Sequence, residues 1–427
     1  MIPAALRGVL FRVGPGKFER GGVKYAHPLD GDGRVDRIEF KDSHITITSR
    51  FVETPQYLSE ERAGKVLFRG AFGTAPHLSL RTLKNPSNTA LVYHGGELLS
   101  MWEGGTPFAL DPKTLECLGP HSLGGVARVA PAFSVHPLMD AALGIGGDAV
   151  CAHAHVDPST GHLVVLMSKY SLGRTTLRFV EFAADGFRKV RECTHCVEGF
   201  TFVHDWVMTP TNFMFFAPPL SFDSQSFRRG SSALECITHA PGCTRIIQLP
   251  RAGGATKTFD VPPWFASHFI NVFESPAEFV IDCFGTPTLG SATEPTSFHP
   301  RRLVLDREGG VCVLAVPLDK GTSEFPAVDH RVHGLSYAHA YYAGSCAAPM
   351  DSIIRLDART KVLRYSTVKF GFHLEPVLAG QFILAFLVCG KKLFLRIIDT
   401  ESMEEVSRVA LKGTNLLGLH SVWVPGG

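Results

Sequence analysis

Residues 154–166 read AHVDPSTGHLVVL, a short strand-like stretch that meets a turn at Asp157 and resumes as an aliphatic strand. An aspartate that opens a turn accepts hydrogen bonds from backbone N–H groups ahead of it. Proline in the next position pre-sets φ, and the flanking Val and Leu favour a pleated strand, so the stretch predicts a β-hairpin. The same grammar recurs as PFALDPKTLECLG around Asp111, FAADGFRKV around Asp185, VLDREGGVCVLAV around Asp306, RLDARTKVLRY around Asp357 and RIIDTESMEEVSRV around Asp399. Several of these turns lie about 40 to 50 residues apart, the length of a four-stranded propeller blade, and the long interval from Asp185 to Asp306 must hide units with less regular turns. A β-propeller is the architecture this repetition predicts, although such hairpins also occur in other β-rich folds.

Composition agrees with an all-β chain treated as one unit over residues 1–427. It has 42 Gly and 28 Pro, which disfavour long helices, and a 45% hydrophobic fraction that can build a large core. Lys and Arg total 42 against 40 Asp and Glu, for a net charge of +2 with no polybasic run, so nucleic-acid binding is not expected. The longest apolar run, FILAFLVC at residues 382–389, is far shorter than the roughly 20 residues a spanning helix needs. Ten cysteines without framework spacing and an N-P-S sequence at Asn85 that cannot be glycosylated fit a reducing compartment. With no signal-peptide pattern at the start, a cytoplasmic location is the default expectation, and a plastid address follows only if a leader precedes this chain.

Among 19 histidines, four sit in apolar, strand-like contexts: His153 in CAHAHVDPSTG, His204 in FVHDWVMTP, His268 in WFASHFINVFES and His420 in LLGLHSVWVPGG. A buried imidazole needs partners for both ring nitrogens, and a metal on one with a hydrogen bond to the other satisfies it. Their separations of 51, 64 and 152 positions exclude a local metal finger, but a propeller brings one inner strand per blade to a shared axis where distant histidines can meet. Periodicity does not separate His153 from His155, because residues i and i+2 of a strand share a face. Two weaker motifs compete. CTHC at residues 193–196 has thiol-pair spacing without a second pair, and GIGGDA at 144–149 lacks the strand, helix and downstream acid of a dinucleotide fingerprint.

In chain order, GVLFRVGPGKFE, HPLDGDGRVDRIEF, NTALVYHGGELLSMWEGGTPFALDPKTLE, AHxxxDPxTG, HDW, TRIIQLPR, HFINVFE, SEFPAV, LEPV and GLHSVWVP resemble the motifs of the carotenoid cleavage oxygenase family across nearly the whole chain. The family includes apocarotenoid oxygenases, lignostilbene dioxygenases and the retinoid isomerase of the visual cycle. The resemblance implies a seven-bladed β-propeller with a helical and loop cap over one axial Fe(II). His153, His204, His268 and His420 match its ligands, with His153 preferred to His155. Glu103, Glu324 and Glu375 match the acids that orient three of those histidines. O2 is then the co-substrate, and both its atoms enter a C=C bond that breaks to two carbonyl products.

A hydrophobic small-molecule substrate is implied, with a cleft for which Thr89, Trp102, Phe133, Trp206, Phe269 and Trp423 are candidates. Stilbene-cleaving relatives carry a lysine immediately before the first glutamate. Trp102 stands there in this chain, which favours an apolar carotenoid or apocarotenoid over a hydroxystilbene. The alternatives are a stilbene- or phenylpropene-cleaving dioxygenase, an isomerohydrolase, and a catalytically silent ligand-binding propeller. The chain departs from the family pattern in having Val13 where asparagine is common, an early first strand and a short stretch from His268 to His420. The last two suggest trimmed cap loops or an incomplete gene model, so a peripheral membrane contact for extracting substrate is expected only if the apolar patch of relatives is kept. Oligomeric state is not legible in these motifs.

Overall fold

The computed structural model describes residues 2–75, 83–129, 147–171, 173–287, 297–310, 312–319 and 321–426. Seven sheets of four antiparallel strands form the propeller. The first blade runs outward through Gly8–Lys17, Asp32–Lys41 and His44–Phe51, and its inner strand is the C-terminal His420–Pro425. That strand pairs antiparallel with the first from Gly8↔Pro425 to Val13↔His420, so the two ends of the chain close the ring and Val13 is the cross-strand partner of His420. The other blades start on inner strands Ala90–His94, Ala149–Val156, Val207–Met208, Phe265–Glu274, Ser323–Val328 and Phe372–Ala379.

Every blade is buried on both faces by its neighbours, and the core is divided accordingly into seven apolar clusters, one for each interface between blades. The run at 382–389 shows how. Because side chains alternate across a strand, Leu384, Phe386 and Val388 pack towards the first blade, while Ile383 and Ala385 pack towards the sixth. Burial on both faces therefore replaces polar alternation with a continuous apolar run, and each such Leu, Ile or Phe contributes about 1.5–3 kcal/mol. No helix among the described residues is long and apolar enough to cross a membrane.

All six aspartate turns lie between paired antiparallel strands. In five of them the Asp Oδ1 accepts backbone N–H groups two or three residues on, as at Asp111, Asp157, Asp306, Asp357 and Asp399. In the same five, the residue four places after the aspartate donates its N–H back to the aspartate carbonyl and is left-handed: Leu115, Gly161, Gly310, Lys361 and Met403, with φ between 61° and 71°. Leu115 and Met403 bury their side chains in exchange for this conformation, whereas Lys361 is exposed. Lys361→Gly is therefore expected to raise the unfolding free energy by about 0.5–1 kcal/mol, read from a urea midpoint; an unchanged or lower midpoint would show that this turn carries no left-handed cost. The interval from Asp185 to Asp306 hides the fourth blade. Its outer turn, RAGGAT at 251–256, uses Gly253 and Gly254 instead of aspartate, and its second and third strands are separated by an excursion containing the helix Ser224–Arg229.

An even number of antiparallel strands returns the chain to the face on which each inner strand began. The links between blades and the turns between second and third strands therefore gather on that entry face, while the aspartate turns lie on the opposite one. Among the described residues the two α-helices, Pro55–Ala63 and Ser224–Arg229, are both on entry-face connections, where they belong to the cap. The first is anchored by a buried network in which Lys84 Nζ contacts Glu60 Oε2 at 2.6 Å and Asp32 Oδ1 at 2.5 Å, and Arg20 Nη2 contacts Asp32 Oδ2 at 2.8 Å. The second is tied to the first connection by Arg69, whose guanidinium donates to the carbonyls of Phe227 and Ser231 and lies over the Phe227 ring.

Candidate metal centre

Each blade delivers one polar side chain to the axis. His420 comes from the first blade, Glu103 from the second, His153 from the third, His204 from the segment leading into the fourth, His268 from the fifth, Glu324 from the sixth and Glu375 from the seventh. The strands change pairing register beside these residues. The shifts fall between Val150 and Ala154, spanning His153; between Ala266 and Phe269, spanning His268; between His373 and Pro376, spanning Glu375; and directly after Glu324. A bulge adds a residue on one strand and re-aims a side chain without breaking the sheet.

The four imidazoles converge so that one nitrogen from each lies within 4.8 Å of the others. Nε2 of His204 is 3.3 Å from both His153 Nε2 and His268 Nε2. On the outer side, His268 Nδ1 donates to Glu324 Oε2 at 2.6 Å, His420 Nδ1 donates to Glu375 Oε1 at 2.8 Å, and His204 Nδ1 lies 2.6 Å from Glu103 Oε1. Burial pushes the Glu324 carboxyl up, but the neighbouring imidazole of His268 and the hydroxyl of Ser267 outweigh it and hold it below the ordinary value. Glu103 behaves likewise beside His204. Ionised carboxylates on Nδ1 leave the Nε2 lone pairs directed inwards, the tautomer a metal requires. Four imidazole nitrogens facing one point fit a first-row divalent ion.

His155 makes a different contact. Its Nε2 is 3.1 Å from Asp205 Oδ1, and its ring lies between Trp206 and His333 on the far side of His153 along the strand. The bulge at His153 sends these two histidines to different partners, a choice strand periodicity could not make.

The family model "Retinal pigment epithelial membrane protein" matches residues 1–425. The chain belongs to the RPE65/carotenoid cleavage oxygenase family. It is 31% identical over 403 residues to apocarotenoid-15,15'-oxygenase of Synechocystis sp., covering 88% of this chain and 79% of that protein. Isoeugenol monooxygenase of Pseudomonas putida is 27% identical over 358 residues, covering 80% of this chain and 70% of that enzyme. Among solved structures, cobalt-substituted Synechocystis apocarotenoid oxygenase superposes with a TM-score of 0.90 at 27% identity, over 100% of this chain and 94% of that one.

Not every residue expected at the cleft of this family member lies free to line it. Trp206, Phe269 and Trp423 are packed between blades: Trp206 against Phe179 and Phe213, Phe269 edge-on to Phe216, and Trp423 edge-on to Phe40. These three rings belong to the apolar clusters between blades, where both faces of each sheet are covered. Phe133 lies outside the described residues. Thr89 is buried and donates to Asn88 Oδ1, next to the turn that carries Glu103. Trp102 lies over Gly104, where an added Cβ would come within 2.2 Å of the indole, and it lines a small cavity with Leu29, Pro86 and Lys84. Cys193 and Cys196 do not converge: Cys193 Sγ faces the Arg251 carbonyl, and Cys196 is exposed beside Thr176.

The sequence reading missed two aromatic neighbours of the imidazoles and one acid. Phe325 has a left-handed φ of 62°, donates its N–H to Glu324 Oε2, and places its ring 6.0 Å from His268 and 5.9 Å from His420. A bulky side chain rarely takes that conformation, and such strain concentrates at functional sites. Phe202 stacks 6.5 Å from His204. The acid is Asp205, inside the HDW motif, whose carboxyl burial pushes up but His153 and His155 hold far below the usual range.

Glu324→Gln is expected to weaken Co(II) binding about 10–100-fold, because an amide no longer fixes the His268 tautomer. The check is a Co(II) titration of the metal-free chain, and wild-type affinity in the variant would remove Glu324 from the centre.

Proposed function

We propose that this chain is an Fe(II)-dependent dioxygenase that cleaves a C=C double bond of a carotenoid or apocarotenoid with O2, giving two carbonyl products. His153, His204, His268 and His420 hold one iron per chain, and Glu103, Glu324 and Glu375 orient three of them. The observation that carries the reading is the convergence of four imidazole nitrogens within 4.8 Å, with three of the rings held from behind by carboxylates. An iron ion held by these four imidazoles would supply O2 activation, with the electrons drawn from the alkene.

The chain's own residues do the rest. Glu324 and Glu375 accept Nδ1 protons, Glu103 stands 2.6 Å from the Nδ1 of His204, and all three offset a divalent charge from outside the nitrogen set. Phe325 and Phe202 present apolar edges beside the imidazoles, where a long conjugated substrate can be held at the reacting bond and water kept away. Thr89 and Trp102 sit by the Glu103 turn, and the indole there provides apolar surface where a lysine would bind a phenolate. This, with the apocarotenoid oxygenase as a relative, favours the polyene; the isoeugenol monooxygenase relative keeps phenylpropenes and stilbenes as the competing substrates.

The test is to offer an apocarotenal, a carotenoid and resveratrol to the iron-loaded chain under 18O2. Label in both carbonyl products of a polyene is expected. Cleavage of resveratrol alone would overturn the substrate class, and a chain that binds iron yet cleaves nothing would support a ligand-binding propeller.

A further inference from the structure

Three of the four imidazoles have a glutamate at Nδ1; among the described residues His153 has none. A buried carboxylate outside the glutamate pattern instead ties together the segments around three of these histidines. Asp205 is 5% exposed and uses both oxygens. Oδ1 accepts the Trp206 N–H at 2.8 Å and lies 3.1 Å from His155 Nε2, while Oδ2 accepts the Phe269 N–H at 2.9 Å. Each partner is a near neighbour of one of the converging histidines: Asp205 follows His204, Phe269 follows His268, and His155 lies two residues beyond His153. A further bond closes the set, since Trp206 Nε1 donates to the His153 carbonyl at 3.0 Å.

The bulges explain why a side chain is needed here. Register shifts on both sides of Phe269, and across Val150 to Ala154, interrupt the ladders that would otherwise fix these backbones. Inner strands of a propeller do not hydrogen-bond to one another, so nothing in the sheets themselves sets the third, fourth and fifth blades at one spacing around the axis. One buried carboxylate bonded to all three does.

We infer that Asp205 is a fourth acid of the metal centre, a positioning residue that locks the segments carrying His153, His204 and His268 at ligand spacing. The inference rests on the metal reading above. It also gives His155 a role, as the arm through which Asp205 reaches the His153 strand.

The experiment titrates Co(II) into the metal-free full chain and follows the visible d–d bands, with the thermal midpoint of each metal-free protein recorded alongside. Asp205→Asn keeps the shape but puts an amide NH2 against a donor. It is expected to bind Co(II) about 10–100-fold more weakly, with altered bands, at temperatures where it is fully folded. Asp282→Asn is the comparison, because Asp282 is also buried and is bonded to Arg302 and Tyr337 away from the centre. It should lose thermal stability and keep wild-type Co(II) affinity and bands. His155→Gln should weaken Co(II) less than Asp205→Asn, and it carries the test if Asp205→Asn does not fold. Wild-type affinity and bands in Asp205→Asn, or in His155→Gln in its place, would overturn the role of Asp205 alone. A wild-type chain that binds no Co(II) would overturn this inference together with the metal reading.

Discussion

Alanine at His268 is expected to leave a folded chain that retains almost no iron and does not turn over. The side chain is buried, and its Nε2 faces that of His204 at 3.3 Å. Removing it takes away one of four nitrogens outright, so the loss in affinity should exceed the roughly 10–100-fold typical of losing an outer partner. The fold should survive because Glu324, the group left behind, still accepts from Ser267 Oγ and from the Phe325 N–H. The cost of its lost imidazole partner is about 1–3 kcal/mol, small enough for a large propeller to absorb. Metal content after anaerobic purification, read beside the thermal midpoint, separates the two effects. Near-stoichiometric iron with activity in the variant would mean that His268 is not a ligand.

The second large effect concerns ring closure. Arg12 is 1% exposed and Asp36 is fully buried. Arg12 Nη1 lies 3.4 Å from Asp36 Oδ2 and donates to the Asn415 carbonyl at 2.6 Å, Nη2 donates to the Leu416 carbonyl at 3.3 Å, and the guanidinium stacks 4.3 Å over the Phe386 ring. Asp36 in turn accepts the Asn415 N–H through both oxygens and the Ser49 hydroxyl. The pair therefore holds the segment that leads directly into the inner strand bearing His420. Burial lowers the Arg12 guanidinium to about 10 against the pull of Asp36, which marks how little water reaches it. Arg12→Met should destabilise the chain by about 3–5 kcal/mol, since it strands a buried carboxylate and two carbonyls. Arg12→Met combined with Asp36→Leu should cost less than the sum of the two single changes, because neither charge then lacks its partner. Strict additivity in urea unfolding would show that the two side chains act separately.

Much of the fold was legible because it is written in local chemistry. An aspartate that bonds the N–H groups two and three residues ahead makes its turn without help from distant residues, and the described turns at Asp111, Asp357 and Asp399 do so. The fourth blade was hidden because its outer turn relies on glycine conformations instead, and the first because Asp42 and Ser43, both left-handed, form a tighter two-residue turn. The apolar run at 382–389 could be read as too short for a membrane, but its division between two interfaces needs neighbours on both sides.

The site stands on the opposite footing. The sequence by itself determined that four histidines sit in strand-like contexts, that they and three glutamates match a family pattern, and that the repeating turns make blades. Those turns lie on the face away from the cap and say nothing about the axis. Only the tertiary structure decided that Trp206, Phe269 and Trp423 serve the blade interfaces and that Phe325 and Asp205 lie near the imidazoles, while the preference for His153 over His155, which strand counting left open, came from the resemblance, and His153 joins the cluster in the structure. For the polar residues there is one physical reason. A side chain's direction on a regular strand follows from counting, but at a bulge the count fails, and the direction is then fixed by whichever buried partner on another blade completes its hydrogen bonds.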